Sequence, residues 1–581
     1  MKAQILVDEE VLARYDWNGN LISAEGHGKV HIKNPTENTT LWGIRFFGEF
    51  PENIKGIEPN EIPHVSPLTT HSMPYNYTVH PLLKVTEKID TNFSHEIREN
   101  PNFKRLALSL GVSHPVLFRI EISNNHDFVI KNVVLKKQMP EATEDVVALE
   151  PYQGTVTIND EKTEVEWKIE KLGSNDKIIL DLLANLKTDN TTPVKTGDIN
   201  LFSEADVSLS GIDPHIESEC DNADLQITVT ESATPNNWEI DTAFINNSEY
   251  EVTLVKVSVQ ANGETVIDEA GIMQVIEPGI PEPLWNKKIV VESVEYPNID
   301  KSLKYYVNYE VSHHIKFHIQ MDETELPVLA IKAIKTFEPP EVNTYTRVDL
   351  LSKTVIENIG TAIMGNMDIS AMLPQYFEIK DVALQTPDKK IIVDYKIVAL
   401  DEGETENYKI HRKLDAKIGN LNVSPGQSVT FIVNGIMQKP VPNADYNADE
   451  EIKGYTEPPS LPHIIKATDE EGNPPKIVVK YKRRSYKLSS VYKALSDGKW
   501  LIEITLLNNG EVPIENIIVS QPIKPATYSS HEPAAITAET KGDTVEFKIL
   551  RINVGQEVKI NLYVETTSPL RQQSPSIKIL D

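Results

Sequence analysis

Asn443, Asp445, Asn447 and Asp449 place oxygen-bearing side chains at alternate positions, a spacing that could hold a hard cation. Alternate oxygens on a looped backbone can converge on one calcium ion. A complete calcium loop needs Gly at its sixth place and a bidentate Glu at its twelfth, where this chain has Ala448 and Gly454. Two readings follow: a solvated acidic linker with no cofactor, or interdomain calcium where two domains meet.

Histidines concentrate at Ser312-His313-His314-Ile315-Lys316-Phe317-His318. On a strand, His313 shares a face with Ile315 and Phe317, while His314, Lys316 and His318 share the other. His314 and His318 would then stand ~13 Å apart, too far to share one metal ion. Lys316 between them would repel a cation. The expectation is a surface strand with one core-facing histidine.

Cys220 is the single cysteine and follows Asp213 and His215. A nucleophilic thiol needs a base within hydrogen-bond reach, but no elbow motif accompanies this trio. The expectation is a structural thiol. Walker, dinucleotide, His-Glu-x-x-His and Cys-x-x-Cys motifs do not occur in the sequence. Asn-x-Ser/Thr triplets begin at Asn38, Asn76, Asn92, Asn190, Asn246 and Asn422, and matter only if the chain is exported.

The run Lys480-Tyr481-Lys482-Arg483-Arg484-Ser485-Tyr486-Lys487 stands out in an acidic chain. In an extended strand, Lys480, Lys482 and Arg484 line one face at ~7 Å intervals. Such a row calls for an acidic counterpart. It is either the chain's own Asp449-Glu450-Glu451 or the acidic surface of a protein partner, with edge protection as the bland alternative.

The elements that would position these residues are strands. Between Trp500 and Val564, four apolar runs of period 2 alternate with turns at Asn508-Asn509-Gly510 and Gly555-Gln556. That pattern identifies half-buried antiparallel strands. Paler copies recur upstream, each headed by an asparagine: Asn34, Asn124, Asn246 and Asn358. In the first copy Leu41 to Phe47, with Pro51, forms the second strand; in the second copy Val165-Glu166-Trp167-Lys168-Ile169 supplies a tryptophan strand. Ser424-Pro425-Gly426-Gln427-Ser428-Val429 gives the fourth a Pro-Gly turn.

Asn508 to Gly510, Glu515 to Val519, Val545 to Ile549 and Gly555 to Val558 follow one order, with Phe547 at the tryptophan position. In that order the unit resembles the conserved-repeat β-sandwich domains of prokaryotic, often archaeal, surface proteins, within the broad immunoglobulin-like group. The resemblance covers about half of the chain and brings no catalytic residue with it.

The whole chain is therefore expected to be all-β, a tandem array of about five immunoglobulin-like antiparallel β-sandwich domains. Their expected bounds are 1–112, 113–203, 204–325, 326–438 and 463–581, with a Pro-rich acidic linker at 439–462. Over 581 residues, 57 Lys and Arg against 86 Asp and Glu give a net charge of −29, which disfavours nucleic acid and anionic lipid as partners. No apolar run approaches the ~20 residues of a membrane span, so no membrane insertion is expected.

Acidic residues Asp8, Glu9 and Glu10 end the first apolar run too early for a signal peptide. The expectation is a cytoplasmic, non-catalytic scaffold or protein-protein interaction protein, built as an elongated rod. The alternatives are an exported cell-surface or adhesion-type protein, and an enzyme whose site forms between domains.

Overall fold

The computed structural model describes residues 1–49, 54–55, 61–79, 83–95, 100–496 and 498–580, so Pro51 lies outside it. Every regular element among the described residues is a β-strand. Alternation explains them. In Ala3–Tyr15, Ile5, Val7 and Val11 are fully buried, whereas Gln4, Glu10 and Arg14 on the other face are exposed.

The chain divides into two compact units. The first holds Met1–Lys104, Ser113–Lys187 and Val194–Leu326. Its largest sheet has nine strands, and Tyr309–Met321 lies near the middle between Ile199–Ala205 and Ala3–Tyr15. Ala3–Tyr15 pairs parallel to Tyr309–Met321, with Leu6 opposite Ser312. It pairs antiparallel to Leu21–Lys33 on its other side.

Sheets cross the sequence-expected boundaries at 112 and 203. Leu83–Asp90 pairs with Ser113–Asn124, Asp213–Cys220 pairs with Leu41–Glu49, and Ile199–Ala205 pairs with Tyr309–Met321. Period-2 alternation reveals a strand but does not name its partner, because pairing is a long-range choice. The third sandwich does stay local. It packs Ala223–Glu231, Asn237–Asn246 and Asn286–Glu292 against Glu264–Ile276, Val252–Ala261 and Ile299–Val307.

The second unit holds Arg105–Val112, Thr188–Pro193 and Pro327–Asp581. Two five-stranded sheets enclose Ile356, Met367, Phe431 and Ile452. Two four-stranded sheets then enclose Ile504, Leu506, Val519, Phe547 and Leu562. The expected linker at 439–462 is corrected: Glu450–Tyr455 is a strand paired with Asn366–Leu373. Its inward row is Glu450, Ile452 and Gly454, all buried, so flanking prolines and acidic composition concealed a core strand.

The five head asparagines share one local structure. Asn34, Asn124, Asn246, Asn358 and Asn508 are each at most 4% exposed. Each amide nitrogen donates to a carbonyl four or five residues on: Thr39, Phe128, Tyr250, Ala362 and Val512, at 2.8–2.9 Å. Each also donates across the sandwich, to Val65, Gly173, Ile276, Val423 and Ile552, at 2.8–3.1 Å. Each side-chain oxygen accepts the backbone N–H two residues on. A primary amide has two donors and an acceptor in one plane, so asparagine satisfies all three buried groups at once.

Candidate interaction site

The acidic residues of the calcium-like spacing engage in turns and cross-strand contacts. Asp445 Oδ1 accepts the Asn447 N–H at 3.0 Å, and Asp445 Oδ2 lies 3.3 Å from His411 Nε2. Asn443 sits at a positive φ of 67°, and the Asp449 carbonyl accepts Met372 N–H at 2.7 Å. Among the described residues, no group of three or more His, Cys, Asp or Glu side chains is placed to hold a metal ion.

The histidine run is a strand with Ile315, Phe317 and Ile319 buried. His314 bridges neighbouring strands, with Nδ1 3.1 Å from Asp8 Oδ1 and Nε2 3.2 Å from Glu204 Oε2. The hydrogen bond from Asn132, and then that from the His314 imidazole, hold the Glu204 carboxyl below its ordinary pKa. His318 instead stacks on Phe202, with ring centroids 4.3 Å apart.

Cys220 is 6% exposed and lies on the opposite face of its strand from the exposed His215. His215 contacts Asp213 at 3.3 Å and the Tyr309 hydroxyl at 2.7 Å instead. Burial pushes the Cys220 thiol up to about 11, which removes thiolate character at neutral pH. Asn246, one of the glycosylation triplets, is buried and has its amide fully committed.

The basic run does not form one straight strand. Val478–Lys480 pairs parallel to Glu341–Asn343, the next regular strand is Tyr486–Ser496, and 481–485 lie between. Thr344 Oγ1 clamps Lys482 there, accepting its N–H at 2.9 Å and donating to its carbonyl at 3.1 Å. Lys480 pairs with Glu341, and the Arg484 guanidinium lies 4.1 Å above the Tyr345 ring. The Arg483 N–H donates to Glu511 at 2.9 Å. Glu341 is thus an acidic counterpart of Lys480 within the chain, whereas Glu511 takes a backbone N–H of the run. Glu450 of the expected acidic partner is buried against Lys335.

One site had no forecast. In the third sandwich, inward-facing residues lose burial along Ala223–Glu231: Ala223 and Leu225 are buried, while Ile227 and Val229 are half-exposed. Across from them lie Tyr296, Pro297 and Ile299, and together they line a cavity of about 590 Å³. Tyr296 is 65% exposed and meets Trp238 edge-on at 5.3 Å. Trp238 Nε1 donates to the Ser293 carbonyl at 3.0 Å.

Two edge strands flank this opening. Ala223–Glu231 pairs only with Asn237–Asn246, and Ile299–Val307 only with Val252–Ala261, among the described residues. Lys301 closes one end, donating to Asp224 Oδ2 at 2.6 Å and to the Leu225 carbonyl at 2.8 Å. An inward lysine on an edge strand discourages pairing where it lies. Among the described residues, no such lysine covers the half of the edge from Ile227 to Glu231. The sequence signal for this site is Val294-Glu295-Tyr296-Pro297-Asn298, which sets apolar side chains in a turn-forming stretch.

No family model matches the chain, and no curated protein does. Among solved structures, the yeast delta-COP-I mu-homology domain matches at 12% identity and a TM-score of 0.26, covering 55% of this chain and 97% of that one. The same yeast domain complexed with a Dsl1 WxWxV peptide matches at 12% identity and 0.25, covering 55% and 98%. The Danio rerio Fcho1 mu homology domain with bound Eps15 peptide matches at 8% identity and 0.26, covering 55% and 97%. These superpositions are too loose to assign a topology or a ligand.

Proposed function

We propose that the chain is a non-catalytic protein-interaction scaffold of immunoglobulin-like sandwiches, one for each of the five asparagine clusters. It takes an extended segment of a protein partner at the third sandwich. The observation that carries this reading is the unfinished interior between Ile227, Val229 and Tyr296, beside an uncovered strand edge. A segment added there would complete both features: its backbone would pair with the edge, and alternate side chains would enter the cavity. A non-catalytic role fits a Cys220 thiol held protonated and an Asp445 carboxylate engaged in a turn.

The test is selection of short peptides from a random display library on the full chain. Binders should carry apolar residues at alternate positions, and Tyr296→Ala should weaken them about tenfold while leaving the melting curve unchanged. Ile227→Thr is the second variant. Binders that hold equally well to both would refute the site.

A further inference from the structure

The chemistry around the cavity specifies the segment further, and this step rests on the edge-addition reading above. We infer that the third sandwich takes an extended peptide whose buried apolar side chain is flanked by lysine or arginine.

Glu231 stands opposite Trp238 at the end of the edge strand, on the same face as Ile227 and Val229. Glu295 precedes Tyr296 in the loop that completes the cavity wall. Both side chains are exposed, and neither forms an ion pair among the described residues. The nearby lysines are committed: Lys301 to Asp224, Lys288 to Glu239 and Lys287 to Glu269. A groove with an apolar floor and an uncompensated acidic mouth attracts a cation next to a hydrophobe.

The geometry also limits length. Lys301 already occupies the Leu225 carbonyl, so pairing is confined to Ile227–Glu231. That span of the edge is ~16 Å long and presents alternate side chains to the cavity. A second copy of this chain fits poorly, because it would bring the same acidic mouth and a further net charge of −29. Like charges set face to face suppress a pairing.

The experiment uses the peptide pool selected on the full chain. An excess of Lys and Arg beside the apolar positions supports the inference. Glu231→Gln/Glu295→Gln should then slow association of a selected peptide by about tenfold at low salt, with the effect vanishing at high salt. Both substituted residues are exposed, and an unchanged melting curve confirms that the variant is folded. Apolar alternation without basic enrichment overturns the charge inference and leaves edge addition standing. Binding that ignores Tyr296→Ala and Ile227→Thr removes the site itself.

Discussion

Lys335 Nζ lies 2.6 Å from Glu450 Oε2, with side-chain exposures of only 4% and 0%. Thr354 Oγ1 donates to the same carboxylate oxygen at 3.1 Å, and Lys335 also donates to the Ala448 carbonyl at 3.1 Å. This pair fastens Glu450–Tyr455 into the sandwich through Ile331–Glu338, a strand from the other sheet.

Removing one partner strands the other charge without water. Lys335→Met or Glu450→Leu alone should cost about 3–5 kcal/mol, and the double substitution much less than the two losses added together. Denaturant unfolding of the four forms gives the coupling directly. Additive losses would mean that the charges do not act as a pair.

The asparagine at the head of the last sandwich makes an independent test. Asn508→Ala leaves the Val512 and Ile552 carbonyls and the Gly510 N–H unpaired. A loss of roughly 2–4 kcal/mol is expected from those buried groups. Asn508→Asp should be as damaging, since a carboxylate would face two carbonyl oxygens. Unfolding followed at Trp500 reads both variants.

His126 sets a pH dependence in the first unit. It is 3% exposed, lies against Phe128 at 4.3 Å and Phe317 at 5.9 Å, and has its pKa lowered by burial from 6.5 to about 4. Between those values the unfolded chain binds the proton and the folded chain does not. Stability from the neutral ring is therefore complete above pH 6.5 and falls as pH drops toward 4, by roughly 3 kcal/mol in total. His126→Phe should flatten that part of the stability profile. An unchanged acid limb would show that other groups control it.

The basic run separates by contact. Arg484→Ala removes a guanidinium stacked on Tyr345 and should lose about 1 kcal/mol. Lys480→Ala breaks an exposed pair with Glu341 and should leave the unfolding midpoint where it was. Hydrogen exchange at Thr344, whose N–H donates to the Lys480 carbonyl, reports local opening in either variant. Equal effects would make the run a uniform charge patch rather than a strap.

Strand existence was readable because one residue in two is apolar wherever a sheet has a wet face. Phe547 and Trp167, expected at corresponding places, are both fully buried. The five asparagines were readable for a related reason, since each stands where an apolar run stops. Partner choice was hidden: nothing local to Asp213–Cys220 says that it will pair with Leu41–Glu49. The cavity beside Tyr296 was hidden as well, because an interior left open differs from a closed one only in what fails to pack on it. Lys480, Lys482 and Arg484 were visible as charge, but their spacing carried no trace of the Thr344 clamp.

The parallel pairing of Ala3–Tyr15 with Tyr309–Met321 has a consequence for biosynthesis. Asp8 and His314, which touch across it, are 306 positions apart. At ribosomal speeds of ~5–20 residues per second, one flank of the early hairpin waits roughly 15–60 s for its neighbour. Throughout that interval a long alternating segment is uncovered while the intervening sandwiches emerge. Glu10 and Arg14, exposed on that strand, are charges of the kind that discourage wrong pairing of an uncovered strand.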